Sequence, residues 1–219
     1  RYSLPLEGSP ESLLPLSQTD LVTTWEDRLR PENMTISVVG NIDKEELEEL
    51  LMKRFGELQF RSNVKPSVDQ THSPKGGLVR VERDVEQSFI AIGVITCDAL
   101  DDDIPALEVA TTLLGGGMSS RLFVELRDKK GLAYNVGATG GNYRSDGYMV
   151  VYIGTSPDRT CESVEGLWRE TTRLQSEPVD LDELQRAKNY LLGGTLRSLE
   201  TNFSQASSKA RATALGLGP

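Results

Sequence analysis

Hydrophobic and polar positions change their period repeatedly along this chain, and the changes mark its elements. Over 104–114, Ile104, Leu107, Ala110, Leu113 and Leu114 recur at helical spacing; Asp101 to Asp103 offer caps, Pro105 suits a first turn and Gly115 ends the run. This predicts an amphipathic core helix. A second helix is expected over 119–130, with Leu122, Phe123 and Leu126 inward and Gly131 where a left-handed cap would close it. Two strand-like runs, 132–139 and 147–154, then flank a polar turn containing Asn142, Arg144, Ser145 and Asp146, the pattern of an antiparallel hairpin.

Upstream, helices are predicted over 19–29 and 44–55, with Ser17 and Asp20 as a capping pair, Pro31 as a stop, and Asp43 with Glu46 at the next helix start. Between them 34–40 reads as a strand. Residues 61–77 shift to Ser, Pro, Lys, Asn and Gly and read as a surface linker. Strands follow at 78–82 and 87–96, expected to pair with each other. After the hairpin, Val164, Leu167, Trp168, Thr171 and Leu174 share one side of a helix that starts near Pro157. A last long helix opens at Asp180, Asp182 and Glu183, where negative charge suits the macrodipole, and Gly193 and Gly194 should weaken or bend it. The order of elements points to an α+β fold, a mainly antiparallel sheet of about five or six strands with helices packed largely on one face.

Composition narrows the function classes. With 219 residues, 37% hydrophobic and 26% charged, the chain is an ordinary globular one, and no apolar run approaches membrane-spanning length. A net charge of -9 opposes binding to a phosphate backbone. Cys97 and Cys161 lack metal-knuckle or disulfide spacing and are expected as free, buried thiols. The first residue is Arg1, so an excised or processed segment is expected.

The single histidine, His72, lies in the polar linker. A zinc site on a helix needs two histidines about a turn apart, and a His-based nucleophile needs a supported imidazole; the chain therefore has no expected metal site, no bound cofactor and no catalytic residues in isolation. Gly115, Gly116 and Gly117 precede a helix but lack the Lys-Ser/Thr of a phosphate loop. Arg127 and Tyr134, on either side of the turn at Gly131, could converge on a ligand, but composition and spacing alone favour Arg127 as a helix-ending cation and Tyr134 as a packed or edge tyrosine.

Several blocks carry a resemblance. Gly116-Gly117 through Ser120-Arg121-Leu122-Phe123, then Leu126-Arg127 and Gly131-Leu132-Ala133-Tyr134, resemble the glycine-rich approach and the arginine and tyrosine pair of the pitrilysin and insulinase zinc metallopeptidases, which include the mitochondrial processing peptidases. Gly8 to Ser12, Arg30 to Met34 and Val39 to Asp43 resemble the close of that family's first homologous half. The resemblance implies that 1–60 closes the first half, 61–77 links, and 78–219 is the second, non-catalytic half, cut before its own closing strand and helix. It also suggests that 1–60 could fill the place of that missing tail, with its strand 34–40 joining the main sheet.

By the same resemblance, zinc belongs to a complementary half in the same chain or a partner subunit, and Arg127 and Tyr134 bind the scissile carbonyl of a peptide substrate. Gly115, Gly116 and Gly117 correspond to a region proposed to meet substrate, although a plain hinge explains them too. A homodimer is compatible with this reading. The alternatives are a peptidase-like structural subunit used for assembly, or an anion-binding module at the glycine turn.

Overall fold

The computed structural model describes residues 7–58 and 76–218, and these fall into two units, one from 7–58 with 202–218 and one from 76–201. Most of the expected linker, including His72, lies outside the described residues. The first unit contains α1 (Pro10–Leu13), α2 (Gln18–Arg28), a 3-10 turn (Pro31–Asn33), α3 (Lys44–Phe55) and a helix over Asn202–Leu215. The Ser17 and Asp20 pair forms as expected: the Asp20 amide donates to Ser17 Oγ at 3.3 Å and the Ser17 amide to Asp20 Oδ2 at 2.8 Å. Asp43 Oδ1 likewise accepts from the amides of Glu45 and Glu46, satisfying donors that a helix start leaves free.

Residues 34–40 are not a strand. Among the described residues no ladder pairs with them, and Ile36 and Val38 stay about half exposed. The idea that this segment completes the sheet is thereby overturned. Alternating apolar residues make a strand only where a neighbour takes up the backbone N–H and C=O groups.

In the second unit the sheet has three strands, β1 (Ser88–Thr96), β2 (Asn135–Asn142) and β3 (Gly147–Thr155), in the order β1-β3-β2 and antiparallel throughout. The hairpin is present, closed by the Tyr143 amide donating to the Asp146 carbonyl at 2.8 Å. The other expected pairing is corrected. Residues 78–82 form no strand, Leu78 and Val79 are almost fully exposed, and β1 pairs with β3 instead. That register aligns Ile90 with Ile153 and Val136, and Ile92 with Val151 and Ala138, so one face becomes continuously apolar. The segment 78–82 offers no comparable set, because Arg80 and Glu82 alternate with its valines.

That face meets α4 (Ile104–Gly115), the segment 121–129 and α5 (Thr160–Ser176) in a core of Leu114, Leu122, Leu126, Leu132, Val136, Val151, Ile153 and Leu167. The fold is α+β, with the helices of this core on one face of the small antiparallel sheet. Gly115 allows the close approach of α4 to β2: a methyl group there would collide with the backbone of Gly137 and Ala138. On α5 the buried stripe is Ser163, Gly166, Leu167 and Glu170, whereas Trp168 and Val164, expected inside, face outward. Gly166 sets this rotation, since the Leu126 side chain fills the space a Cβ would take. The last helix of this unit, α6 (Leu181–Ser198), runs unbroken through Gly193 and Gly194, with Asp180 capping the amides of Asp182 and Glu183.

The start of α6 is bound to the segment after the glycine turn by one buried ion pair. Arg121, 6% exposed, donates from Nε to Glu183 Oε1 at 2.7 Å and from Nη2 to Oε2 at 2.9 Å. Hydrogen bonding to Glu183 raises the Arg121 pKa, and the same contact holds the Glu183 carboxyl below its usual value. Such a pair matters most when broken, because the remaining charge stays buried. Arg121→Ala is expected to cost about 3 kcal/mol in urea unfolding, while Arg121→Met with Glu183→Leu costs much less. Because the carboxyl is lowered in the folded state, its contribution is fully present above the ordinary carboxylate range and is lost as pH falls through the depressed value. Acid titration of the unfolding midpoint should show this loss in the native chain and not in Glu183→Gln. Separately, Gly115→Ala should destabilise by about 1–3 kcal/mol on the same assay through overpacking.

Candidate functional site

Residues 123–129 do not form the regular helix their spacing predicts. After a short helical lead at Arg121 and Leu122, Phe123–Lys129 is a π-helix, a wider coil whose backbone bonds span one residue more than in an α-helix. Its end keeps that width: the Gly131 amide donates to the Arg127 carbonyl at 3.0 Å and the Leu132 amide to the Leu126 carbonyl at 2.8 Å. Each bond reaches one residue further back than in a Schellman cap. Gly131 closes the turn at φ +58, a conformation that costs side-chain-bearing residues energy, and the chain reverses into β2.

The reversal brings Arg127 and Tyr134 together. The Arg127 guanidinium carbon lies 4.6 Å from the centroid of the Phe123 ring and 5.5 Å from that of Tyr134, so the cation rests on two aromatic faces. Tyr134 is 84% exposed. Among the described residues no carboxylate pairs with Arg127, in contrast to Arg121. The half-buried guanidinium therefore stacks on the ring of an exposed phenol, and their N–H and O–H groups are donors suited to a carbonyl or carboxylate oxygen.

Three carbonyls of the turn are held by side chains that sequence spacing did not single out. Thr155 Oγ1 donates to the Leu132 carbonyl at 2.8 Å, and Arg159 donates from Nη1 to the Gly131 carbonyl at 3.0 Å and from Nη2 to the Lys130 carbonyl at 3.2 Å. Glu162 accepts from Arg159 at 3.1 Å and from Lys130 at 3.2 Å, and these bonds, Arg159 first, lower its carboxyl pKa. One signal was available. Arg159 precedes the first turn of α5, where the helix dipole disfavours a cation, so a local acceptor was to be looked for.

The three glycines occupy the other end of the segment. Gly115 packs on β2, Gly116 lies against Thr112, and Gly117 abuts the Tyr190 ring beside a cavity of about 20 Å³ lined in part by Ser119, Ser120, Glu183 and Arg186. The sequence has one histidine, and no group of three His, Cys, Asp or Glu side chains converges among the described residues. Cys97 and Cys161 are free thiols but not fully buried: Cys97 is half-buried, with desolvation and then the Asp101 carboxylate pushing its pKa up, and Cys161 is exposed. Among the described residues no helix is long and apolar enough to cross a membrane.

Comparison with known proteins gives a consistent result. The family model described as the peptidase M16 inactive domain matches residues 15–191. An uncharacterised zinc protease of Mycobacterium leprae is 32% identical over 210 residues, covering 94% of this chain and 47% of that protein. The chain thus spans about half the length of the curated relatives it matches. In structure it is similar to a peptidase M16 inactive domain from Pseudomonas fluorescens (TM-score 0.83, 18% identity, covering 99% of this chain and 52% of that one). A protease from Helicobacter pylori is also similar (TM-score 0.82, 21% identity, covering 95% and 52%).

The left-handed turn makes its own prediction. Gly131→Ala meets no steric obstacle but must adopt positive φ, and should cost about 1–2 kcal/mol in urea unfolding, with Gly131→Asn costing less.

Proposed function

Since the chain belongs to the peptidase M16 inactive-domain family, we propose that it is the non-catalytic, substrate-clamping half of a zinc metalloendopeptidase, with Arg127 and Tyr134 donating hydrogen bonds to the scissile peptide carbonyl. Zinc and the groups that bind it belong to a complementary half, in the parent chain or in a partner subunit. On this reading 1–60 closes the first homologous half, 61–77 links, and 78–219 is the second half.

The observation that carries the proposal is the Arg127 guanidinium, free of carboxylates among the described residues and stacked beside an exposed phenol. As a peptide carbonyl becomes tetrahedral, its oxygen gains negative charge, and donors already aimed at it stabilise that charge without reorganising. An oxygen held by both side chains would accept from a guanidinium N–H and a phenol O–H. The exposure of Tyr134 supplies the argument for a partner surface. Hydrogen bonds in open water stabilise charge weakly, so a full contribution requires a second body that closes over the phenol and excludes water.

Gly115, Gly116 and Gly117, each half-buried, are proposed as substrate contacts through their backbone, although Gly115 also packs on β2. Assembly alone, the second reading, needs no unpaired cation beside a phenol. In the complete parent protein, Tyr134→Phe should lower kcat about a hundredfold with KM little changed, as expected for a donor that acts in the transition state. Arg127→Lys should not restore what Arg127→Ala loses, because an ammonium cannot reproduce the planar, stacked fork. Steady-state kinetics on a cleavable peptide checks both, and an unchanged kcat in Tyr134→Phe would favour the assembly reading.

A further inference from the structure

We infer that Arg159 is a positioning residue for the Tyr134 phenol, acting through the backbone carbonyls of Lys130 and Gly131; this rests on the functional reading given above. The turn between Arg127 and Tyr134 continues past the end of the π-helix at Lys129, where the carbonyls of Lys130 and Gly131 need partners from outside it. Arg159 supplies those partners with two nitrogens of one rigid plane, at 3.2 Å to Lys130 and 3.0 Å to Gly131. Two bonds from one fork fix the orientation of consecutive peptide groups, which a single point donor cannot do.

The charges around it explain why a cation is tolerated there. Arg159 stands at the start of α5, an unfavourable place for positive charge, but it faces the negative end of the π-helix and the Glu162 carboxylate at 3.1 Å. Glu162 also takes Lys130 Nζ at 3.2 Å, so both the side chain and the carbonyl of Lys130 are bound into one cluster. Thr155 holds the next carbonyl, Leu132, from β3. Tyr134 follows two residues later and makes its cation contact only if this reversal keeps its direction. Side chain packing does not fix the phenol, which is largely exposed; the backbone before it does.

The test is a double-mutant cycle in the complete parent protein, measuring kcat and KM on a cleavable peptide. Arg159→Ala should lower kcat about tenfold or more with KM little changed, since small misplacement of a reacting group is enough to slow the chemistry. Arg159→Lys should recover part of the loss. When Tyr134 is already Phe, Arg159→Ala should cost little more, because the donor it positions is gone. Amide exchange at residues 131–134 of the Arg159→Ala protein, which should speed up without a shift of the global unfolding midpoint, separates a loosened turn from general damage. Should Arg159→Ala not fold, Glu162→Gln applies the same cycle to the residue that orients Arg159. A fall in kcat for Tyr134→Phe with no effect, or a fully additive effect, of Arg159→Ala would overturn this inference and leave the functional reading standing. No effect of Tyr134→Phe would remove both.

Discussion

The widened turn that ends at Gly131 is the constraint on which the candidate site depends. A regular α-helical end would direct the chain differently into β2, and the cation contact of Arg127 with the Tyr134 ring would not be set by the backbone as it is here. Extra width exposes carbonyls, and unmet carbonyls near a packed core are costly. The second unit meets that cost with Thr155 from the end of β3 and Arg159 from the approach to α5, so the hairpin and the following helix both contribute to the shape of the turn.

Two arginines on this segment show how burial divides structural from available charge. Arg121 is enclosed and must be paired, and Glu183 answers it with both carboxylate oxygens. Arg127 is less enclosed and rests on aromatic rings, which stabilise a cation while leaving its N–H edge for another acceptor. The same short segment therefore anchors α6 at one position and presents donors at the other.

Much of this was legible in the residues, because the signals were local. The Ser17 and Asp20 cap, the hairpin across 143–146, the core helix ending at Gly115 and the left-handed Gly131 each follow from a few neighbouring side chains. The resemblance to zinc metallopeptidases also agrees with the family match. What failed depended on partners distant in sequence. Residues 34–40 and 78–82 have strand-like composition but no ladder, and the α5 stripe is rotated by the Leu126 side chain beside Gly166. Arg121 and Glu183 are 62 positions apart, and no periodicity links them. The π-widening leaves no mark in spacing, since Leu122 and Leu126 are buried in either kind of helix.

The central claim is that Arg127 and Tyr134 recognise the charge that develops on a peptide carbonyl rather than the peptide itself. Affinity of the complete parent protein for a tetrahedral anionic analogue, set against affinity for the matching uncleaved peptide, tests this most directly. The account predicts that replacing Tyr134 with Phe weakens the analogue by roughly a hundredfold and leaves the peptide nearly unchanged. Equal weakening of both, or of neither, would contradict it.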